Sequence, residues 1–200
     1  MNYENAKEGF NKLFVAEMIM IACSVIGAFI PNLWWLFIPA AVGMIVAFFM
    51  NLKGLKLIAK DEEGYMKAYT WAWAGIILTV VSSIACVVTK DSNEQLYNIF
   101  YGLSNTGVLV PEFLVAYFIM KTSIDVCGKI NKPELGDYIK KTLTLFQVTY
   151  AIAILLGMYQ NITNQGILIA LFFIALAEAI ALIVARVKYY IVLKKMSEAL

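Results

Sequence analysis

The sequence contains no histidine, only three cysteines and only four prolines in 200 residues. The absence of histidine excludes acid/base catalysis by imidazole and metal sites with imidazole ligands. Cys23, Cys86 and Cys127 have no paired spacing, so neither a disulfide framework nor a zinc site is indicated. No glycine-rich phosphate-binding motif occurs either. These absences predict a protein that is not an enzyme and that carries no cofactor or metal.

Charged residues are also scarce. They make up 15% of the chain, whereas hydrophobic residues make up 62%. A soluble fold of this length needs more polar and charged side chains to cover its exterior. The composition therefore predicts an all-α integral membrane protein, organised as a single membrane domain over residues 1–200 and surrounded by lipid.

Six apolar stretches approach the roughly 20 residues that a helix needs to cross about 30 Å of hydrocarbon. Their long unbroken runs favour helices over barrel strands, in which apolar and polar residues alternate. The fourth stretch is the least regular, because residues 104–107 and Pro111 interrupt it. The six predicted spans are residues 13–29, 33–52, 68–88, 96–120, 143–159 and 166–187.

Lysine and arginine predict the orientation, since they favour the cytoplasmic flank of a membrane helix. With six crossings, only Lys90 of the 16 basic residues lies on the outer side. This asymmetry predicts a six-helix bundle with both termini in the cytoplasm. The preference for lysine over arginine and the short outer loops favour a multi-pass protein of a bacterial inner membrane.

The chain also divides into three two-helix hairpins, at residues 9–60, 64–130 and 136–195. Each begins with a glycine that is followed three or four residues later by a lysine, at 9–12, 64–67 and 136–140. Such copies would be parallel repeats related by an axis along the membrane normal. Because unrelated hairpins that obey the same bilayer rules converge on this pattern, true repetition and convergence both stay open.

Three glutamates fall within the predicted spans, where ionisable side chains usually face a partner or a cavity. Glu112 lies about 14 Å along its helix from the cytoplasmic flank at 1.5 Å per residue, near the membrane midplane. Glu178 lies at nearly the same depth. Glu17 lies only about 8 Å from its flanking lysine, within reach of the headgroups. These three are the candidate ligand-binding or proton-binding carboxylates.

Neutral polar residues accompany the glutamates. Asn105 shares the helix face of Glu112, and Gln147 and Tyr150 share a face of the next helix, so Asn105, Gln147 and Tyr150 could donate or accept hydrogen bonds. Each glutamate also has a purely structural interpretation. Glu112 could bond to carbonyls freed by Pro111, Glu178 could bond to a neighbouring helix, and Glu17 could extend to the interface.

The placement of basic residues favours a binding role for the glutamates. No lysine or arginine is expected at the midplane, since Arg186 belongs near the inner interface. Carboxylates without a counterion in a low dielectric can exchange protons or bind a cation. The sequence thus favours a small transporter or a membrane substrate-binding subunit for a proton, a cation or a basic solute, working as a homo-oligomer or with a partner protein.

The alternative function is a non-transporting membrane partner, such as a sensor, immunity or assembly subunit that binds another protein. It rests on two basic segments, residues 51–60 and 188–200, which could lie on an anionic membrane surface or dock a cytoplasmic protein. Nucleic acid is not an expected partner, because the topology already accounts for the positions of the basic residues.

Overall fold

The computed structural model describes residues 3–29, 34–90, 94–103, 107, 109–158 and 165–200, and these residues are almost entirely helical, with no strand among them. Short 3₁₀ helices, Trp34–Leu36 and Glu63–Tyr65, precede the second and third α-helices. The α-helices are α1 (Glu4–Phe29), α2 (Phe37–Asp61), α3 (Met66–Thr89), α4 (Glu94–Gly102), α5 (Leu109–Lys129), α6 (Pro133–Met158) and α7 (Gln165–Ala199).

Four segments of the described chain are long and apolar enough to cross a membrane: Glu4–Gly27, Phe37–Asp61, Glu63–Thr89 and Pro133–Leu156. Large apolar side chains on them are exposed, including Phe49 on α2 and Val87 on α3, which is 77% exposed. A water-soluble surface would cover such side chains, whereas lipid accommodates them. These helices therefore support the predicted class of membrane protein.

The predicted fourth span, residues 96–120, is divided between two helices, as its irregular sequence indicates. α4 ends at Gly102 and α5 begins at Leu109, and Leu103 and Gly107 between them have a π-helical conformation. Proline explains the irregularity, because Pro111 cannot donate a hydrogen bond to the carbonyl four residues earlier and its ring crowds that carbonyl. Pro111 itself lies in the first turn of α5, where helices tolerate proline.

Backbone contacts divide the chain into two compact units. Unit 1 comprises the chain up to Tyr69 together with Tyr190–Leu200, and unit 2 comprises Thr70–Tyr189. In unit 1, α1 and α2 pack through small residues, including Ala16 and Ala47, which are both fully buried. A Cβ on Gly9 would lie 2.8 Å from the Gly54 carbonyl oxygen. The two backbones can approach this closely only because neither glycine has a side chain.

Asp61, the last residue of α2, binds the first turn of α1. Its carboxylate accepts hydrogen bonds from the Ala6 backbone N–H at 2.7 Å and from Asn5 Nδ2 at 2.8 Å. A helix N-terminus has unsatisfied N–H groups and a partial positive charge, so a carboxylate there stabilises the helix. Phe10 and Tyr65 make an edge-to-face contact nearby, with ring centroids 5.6 Å apart. These contacts hold the two ends of the 4–65 segment together.

The two basic segments that support the alternative function are not separate surface helices. Residues 51–60 continue α2, and residues 188–199 continue α7. Leu55 and Ile58 in the first segment are fully buried, as are Val192, Leu193 and Met196 in the second. Each segment therefore uses one side for packing and leaves lysines exposed on the other, which are Lys53, Lys56 and Lys60 in the first segment and Lys194 and Lys195 in the second.

In unit 2, α5 and α6 pack against each other and are joined by a tight turn. Asn131 adopts φ 56°, the left-handed conformation that asparagine tolerates better than most residues. Lys132 N donates to the Cys127 carbonyl at 2.9 Å and Asn131 N donates to the Gly128 carbonyl at 3.4 Å, which together form a Schellman motif. Pro133 then starts α6, in the position where proline favours helix initiation.

Candidate functional site

Glu112 and Arg186 form an ion pair between α5 and α7. A guanidinium nitrogen of Arg186 contacts Glu112 Oε1, and 38% of the arginine side chain and 41% of the glutamate side chain are exposed at the surface of the chain. Glu112 lies in the first turn of α5, so the partial positive charge of the helix N-terminus adds to that of the arginine. Both features place positive charge beside the Glu112 side chain.

Tyr150 on α6 completes a three-helix network. Its hydroxyl accepts a hydrogen bond from Arg186 at 3.1 Å and also bonds with the Glu112 side chain. The tyrosine is 1% exposed, so its hydroxyl has lost its water and depends on these two partners. We call Glu112, Tyr150 and Arg186 the polar triad.

Aromatic rings surround one side of the polar triad. Phe146 stacks on Tyr150 with ring centroids 4.5 Å apart, and Phe113 lies 5.7 Å from Tyr150. Tyr189 packs on Phe146 at 5.8 Å. Rings in contact exclude water and fix the orientation of the Tyr150 ring, so the ring packing holds its hydroxyl against the ion pair.

The polar triad corrects one prediction. Glu112 does have a basic partner, so the expectation that no lysine or arginine would neutralise it is wrong. The prediction placed Arg186 by the depth of its backbone, but long side chains on a helix lean toward its N-terminus. On α7 that direction leads into the apolar stretch, where the guanidinium meets Glu112. Counting the reach of the side chain would have placed the guanidinium deeper in the apolar stretch, although the sequence does not indicate which helix it meets.

Glu178 has a different environment from Glu112. Its Oε1 is buried and has no hydrogen-bond partner among the described residues. It lies eight residues before Arg186 on α7, about 12 Å away along the helix axis. Among the described residues, no contact links Glu178 to Glu112, although the two glutamates were predicted to lie at similar depth.

Glu17 contacts Asn51 in unit 1. Asn51 Nδ2 lies 3.5 Å from Glu17 Oε1, at the outer limit of a hydrogen bond, and the glutamate is half-buried between α1 and α2. This contact links the two helices of unit 1. It does not belong to the polar triad, whose three residues all lie in unit 2.

The neutral polar residues that were predicted to accompany the glutamates do not share one environment. Gln147 is exposed, whereas Tyr150 is buried, so the structure places the two side chains in different surroundings. Asn105 lies outside the described residues. Other buried hydroxyl groups bond within their own helices: Ser82 donates to the Leu78 carbonyl at 2.7 Å and Thr149 donates to the Leu145 carbonyl at 3.0 Å. Such hydroxyls are already satisfied and offer less to a ligand.

The polar triad can hold a proton or exchange a cation. Its acid, base and phenol supply one charge of each sign and one neutral hydroxyl group. Within the described part of the chain, no group of three or more cysteine, aspartate or glutamate side chains is placed to hold a metal ion. The chemistry that the triad offers is therefore charge pairing and hydrogen bonding.

No protein-family profile, curated protein or solved structure gives a significant match to this chain.

Proposed function

We propose that the chain crosses the membrane six times with both termini on the cytoplasmic side. The four long apolar helices, α1, α2, α3 and α6, provide four of these crossings. α4 and α5 together provide the crossing between α3 and α6, and α7 provides the last one. Residues 166–185 of α7 contain a single charged residue, Glu178. The distribution of lysine supports this topology, because an odd number of crossings would place many of these residues on the outer side.

Within that topology, the proposed function is a small transporter or membrane substrate-binding subunit for a proton, a cation or a basic solute. The polar triad carries this proposal: three helices bring Glu112, Tyr150 and Arg186 together. Ionisable groups within membrane segments often mark transport pathways.

The proposed mechanism is competition for the Glu112 carboxylate. In the described state Arg186 occupies it. A proton or a cationic solute that reaches Glu112 neutralises the carboxylate and weakens its attraction for Arg186, and Tyr150 then keeps one hydrogen-bond partner. Glu178, whose Oε1 is buried and has no hydrogen-bond partner among the described residues, is the second carboxyl to which the proton or the solute can bind.

Purified protein in liposomes tests this function. We expect proton-linked uptake of radiolabelled arginine, used as the basic solute, to exceed that of protein-free liposomes. Glu112→Gln and Glu178→Gln should each lower this uptake, and Glu198→Gln, which removes an exposed acid, should leave it unchanged. Unchanged uptake after Glu112→Gln together with Glu178→Gln would overturn the site, and uptake no greater than in empty liposomes would overturn the proposed solute class.

A second candidate function is a non-transporting membrane partner that binds another protein. Unit 1 favours it, because α2 packs through one side and presents Lys53, Lys56 and Lys60 on the other. Size-exclusion chromatography with light scattering after gentle solubilisation would test both this candidate and self-association. Recovery of the chain alone, as a monomer, would count against each of them.

A further inference from the structure

Pairs of an acid and a lysine spaced four residues apart follow one order at the lysine-rich ends of the helices. On α1, on α6 and at the start of α3, an acid is followed four residues later by a lysine: Glu8 and Lys12, Asp137 and Lys141, Glu63 and Lys67. On α5 and α7 the order is reversed, and a lysine is followed four residues later by an acid: Lys121 and Asp125, Lys194 and Glu198.

The reversal gives each helix the same arrangement relative to its own apolar stretch. α1, α3 and α6 begin at the lysine-rich end, so the later residue of the pair is nearer to the hydrocarbon. α5 and α7 end at the lysine-rich side, so the earlier residue of the pair is nearer to the hydrocarbon. In all five helices the lysine is the nearer one, and the acid lies about 6 Å further out. α2 agrees, because Asp61 follows its three lysines.

Side-chain contacts within each unit fit this order. In unit 1, Lys12 forms an ion pair with Glu8, and Lys53 and Lys60 act electrostatically on the same glutamate. In unit 2, Lys121 lies over the ring of Tyr117, one turn toward the apolar stretch, with its nitrogen 5.7 Å from the ring centroid. Tyrosine favours the membrane interface, so this contact places the lysine at headgroup level.

The spacing matches the thickness of the headgroup layer. A bilayer is about 40–45 Å thick with a hydrocarbon core of about 30 Å, which leaves roughly 5–7 Å of headgroups on each side. An offset of about 6 Å puts the backbone of the lysine at the level of the phosphates and the backbone of the acid in the water beyond them.

We propose that the inner lysines of α1, α2, α3, α5 and α6, the first lysine beyond each apolar stretch, bind the phosphate groups of anionic phospholipids in the cytoplasmic leaflet. They are Lys12, Lys53, Lys67, Lys121 and Lys141. The inference rests on the proposed six-crossing topology, which places all five on one side. The contact between Lys121 and Tyr117 favours lipid over a dissolved polyanion, because it holds this lysine at the level where lipid phosphates lie.

Two charge-matched variants of the full chain test the proposal in vesicles of phosphatidylcholine, with spin-labelled phosphatidylglycerol as the probe. The first carries Lys12→Gln, Lys53→Gln and Lys67→Gln. The second removes three outer lysines of the same unit through Lys7→Gln, Lys60→Gln and Lys195→Gln. We expect the first to lower the association of the anionic lipid relative to spin-labelled phosphatidylcholine at least about fivefold, and the second less than about twofold.

An equal loss in the two variants, or no loss in either, would overturn the assignment to the inner lysines. If the first variant does not fold, as judged by circular dichroism, Lys121→Gln is compared with Lys132→Gln by the same measurement and the same criterion. The topology is tested separately, by labelling single cysteines at positions 53 and 121 in a background without the native cysteines. Labelling of these positions from opposite sides would reject the six-crossing topology whatever the lipid result.

Discussion

In unit 1, α1 and α2 meet through glycine and alanine, and their backbones nearly touch at Gly9 and Gly54. In unit 2, α5, α6 and α7 meet at the polar triad, beside a cluster of aromatic rings. Contacts between small residues depend on a close fit and have only one good arrangement. Charged and hydrogen-bonding groups can exchange one partner for another. The contrast favours unit 1 as a scaffold and unit 2 as the place where a ligand or a proton acts.

The largest expected effect comes from the close fit in unit 1. Gly9→Val would place Cβ 2.6 Å from Ile58 Cγ2 and 2.8 Å from the Gly54 carbonyl oxygen, and the carbonyl cannot move without shifting α2. We expect a loss of about 3 kcal/mol in the free energy of unfolding in detergent micelles. Gly27→Val on the same helix is the control, because no atom of the described residues lies within 4 Å of its added Cβ. Equal losses in the two variants would contradict the special role of the Gly9 contact.

A smaller loss is expected when the ion pair of unit 2 is broken. Arg186→Gln leaves the Glu112 carboxylate without its cation, and we expect unfolding to become easier by about 2 kcal/mol. Arg186→Gln together with Glu112→Gln should cost less than the sum of the two single changes, because no unpaired charge remains. Additive losses, measured by the same denaturation, would show that the two side chains do not interact.

Asp61→Ala should have a weaker effect than either of these changes. The substitution removes the acceptor for Ala6 N–H and Asn5 at the start of α1, and we expect a loss of about 1 kcal/mol. Asp61→Asn keeps an acceptor oxygen but loses the charge, so it should recover part of that loss. Hydrogen exchange of the first turn of α1 would locate the effect, and faster exchange spread over all of unit 1 would contradict a local cap.

The smallest expected effect concerns the chemical reactivity of the Cys127 thiol and not the stability of the fold. Burial raises the pKa of the Cys127 thiol at the end of α5, although Lys132 opposes this shift. Because the thiolate is the nucleophile, a raised pKa means less thiolate at neutral pH, and modification should accelerate as the pH rises. In a variant with Cys127 as the only cysteine, we expect modification by a maleimide at neutral pH to be at least about tenfold slower than in the denatured chain. Equal rates would show that the end of α5 is open to water.

Features that depend on composition and local order could be predicted from the sequence. The apolar runs of α1, α2, α3 and α6 are long enough to identify each helix separately, and Pro111 marks the irregular segment before α5. The proposed glutamates are identifiable because carboxylates are rare in such runs. Each of these signals resides in one stretch of chain, so no knowledge of neighbouring helices is needed.

Features that depend on contacts between helices could not be predicted in the same way. Arg186 was assigned to the interface because nothing in α7 alone indicates that Glu112 of α5 lies within its reach. Gln147 and Tyr150 are three residues apart, yet one is exposed and the other buried, since the edge of the buried face falls between them. The hairpin repeat stays a prediction, because shared bilayer constraints can produce the same pattern.

The tight turn between α5 and α6 determines which residues face each other further up the two helices. Glu112 lies nineteen residues before Asn131, and Tyr150 lies nineteen residues after it. Antiparallel helices of equal rise bring such equidistant positions level with each other. One residue inserted within α6 between Pro133 and Tyr150 would displace Tyr150 by about 1.5 Å along α6 and rotate it by about 100° relative to the turn, away from the ion pair. A homologous chain that keeps Glu112, Tyr150 and Arg186 should therefore also keep the length of this interval, even where the turn residues themselves differ.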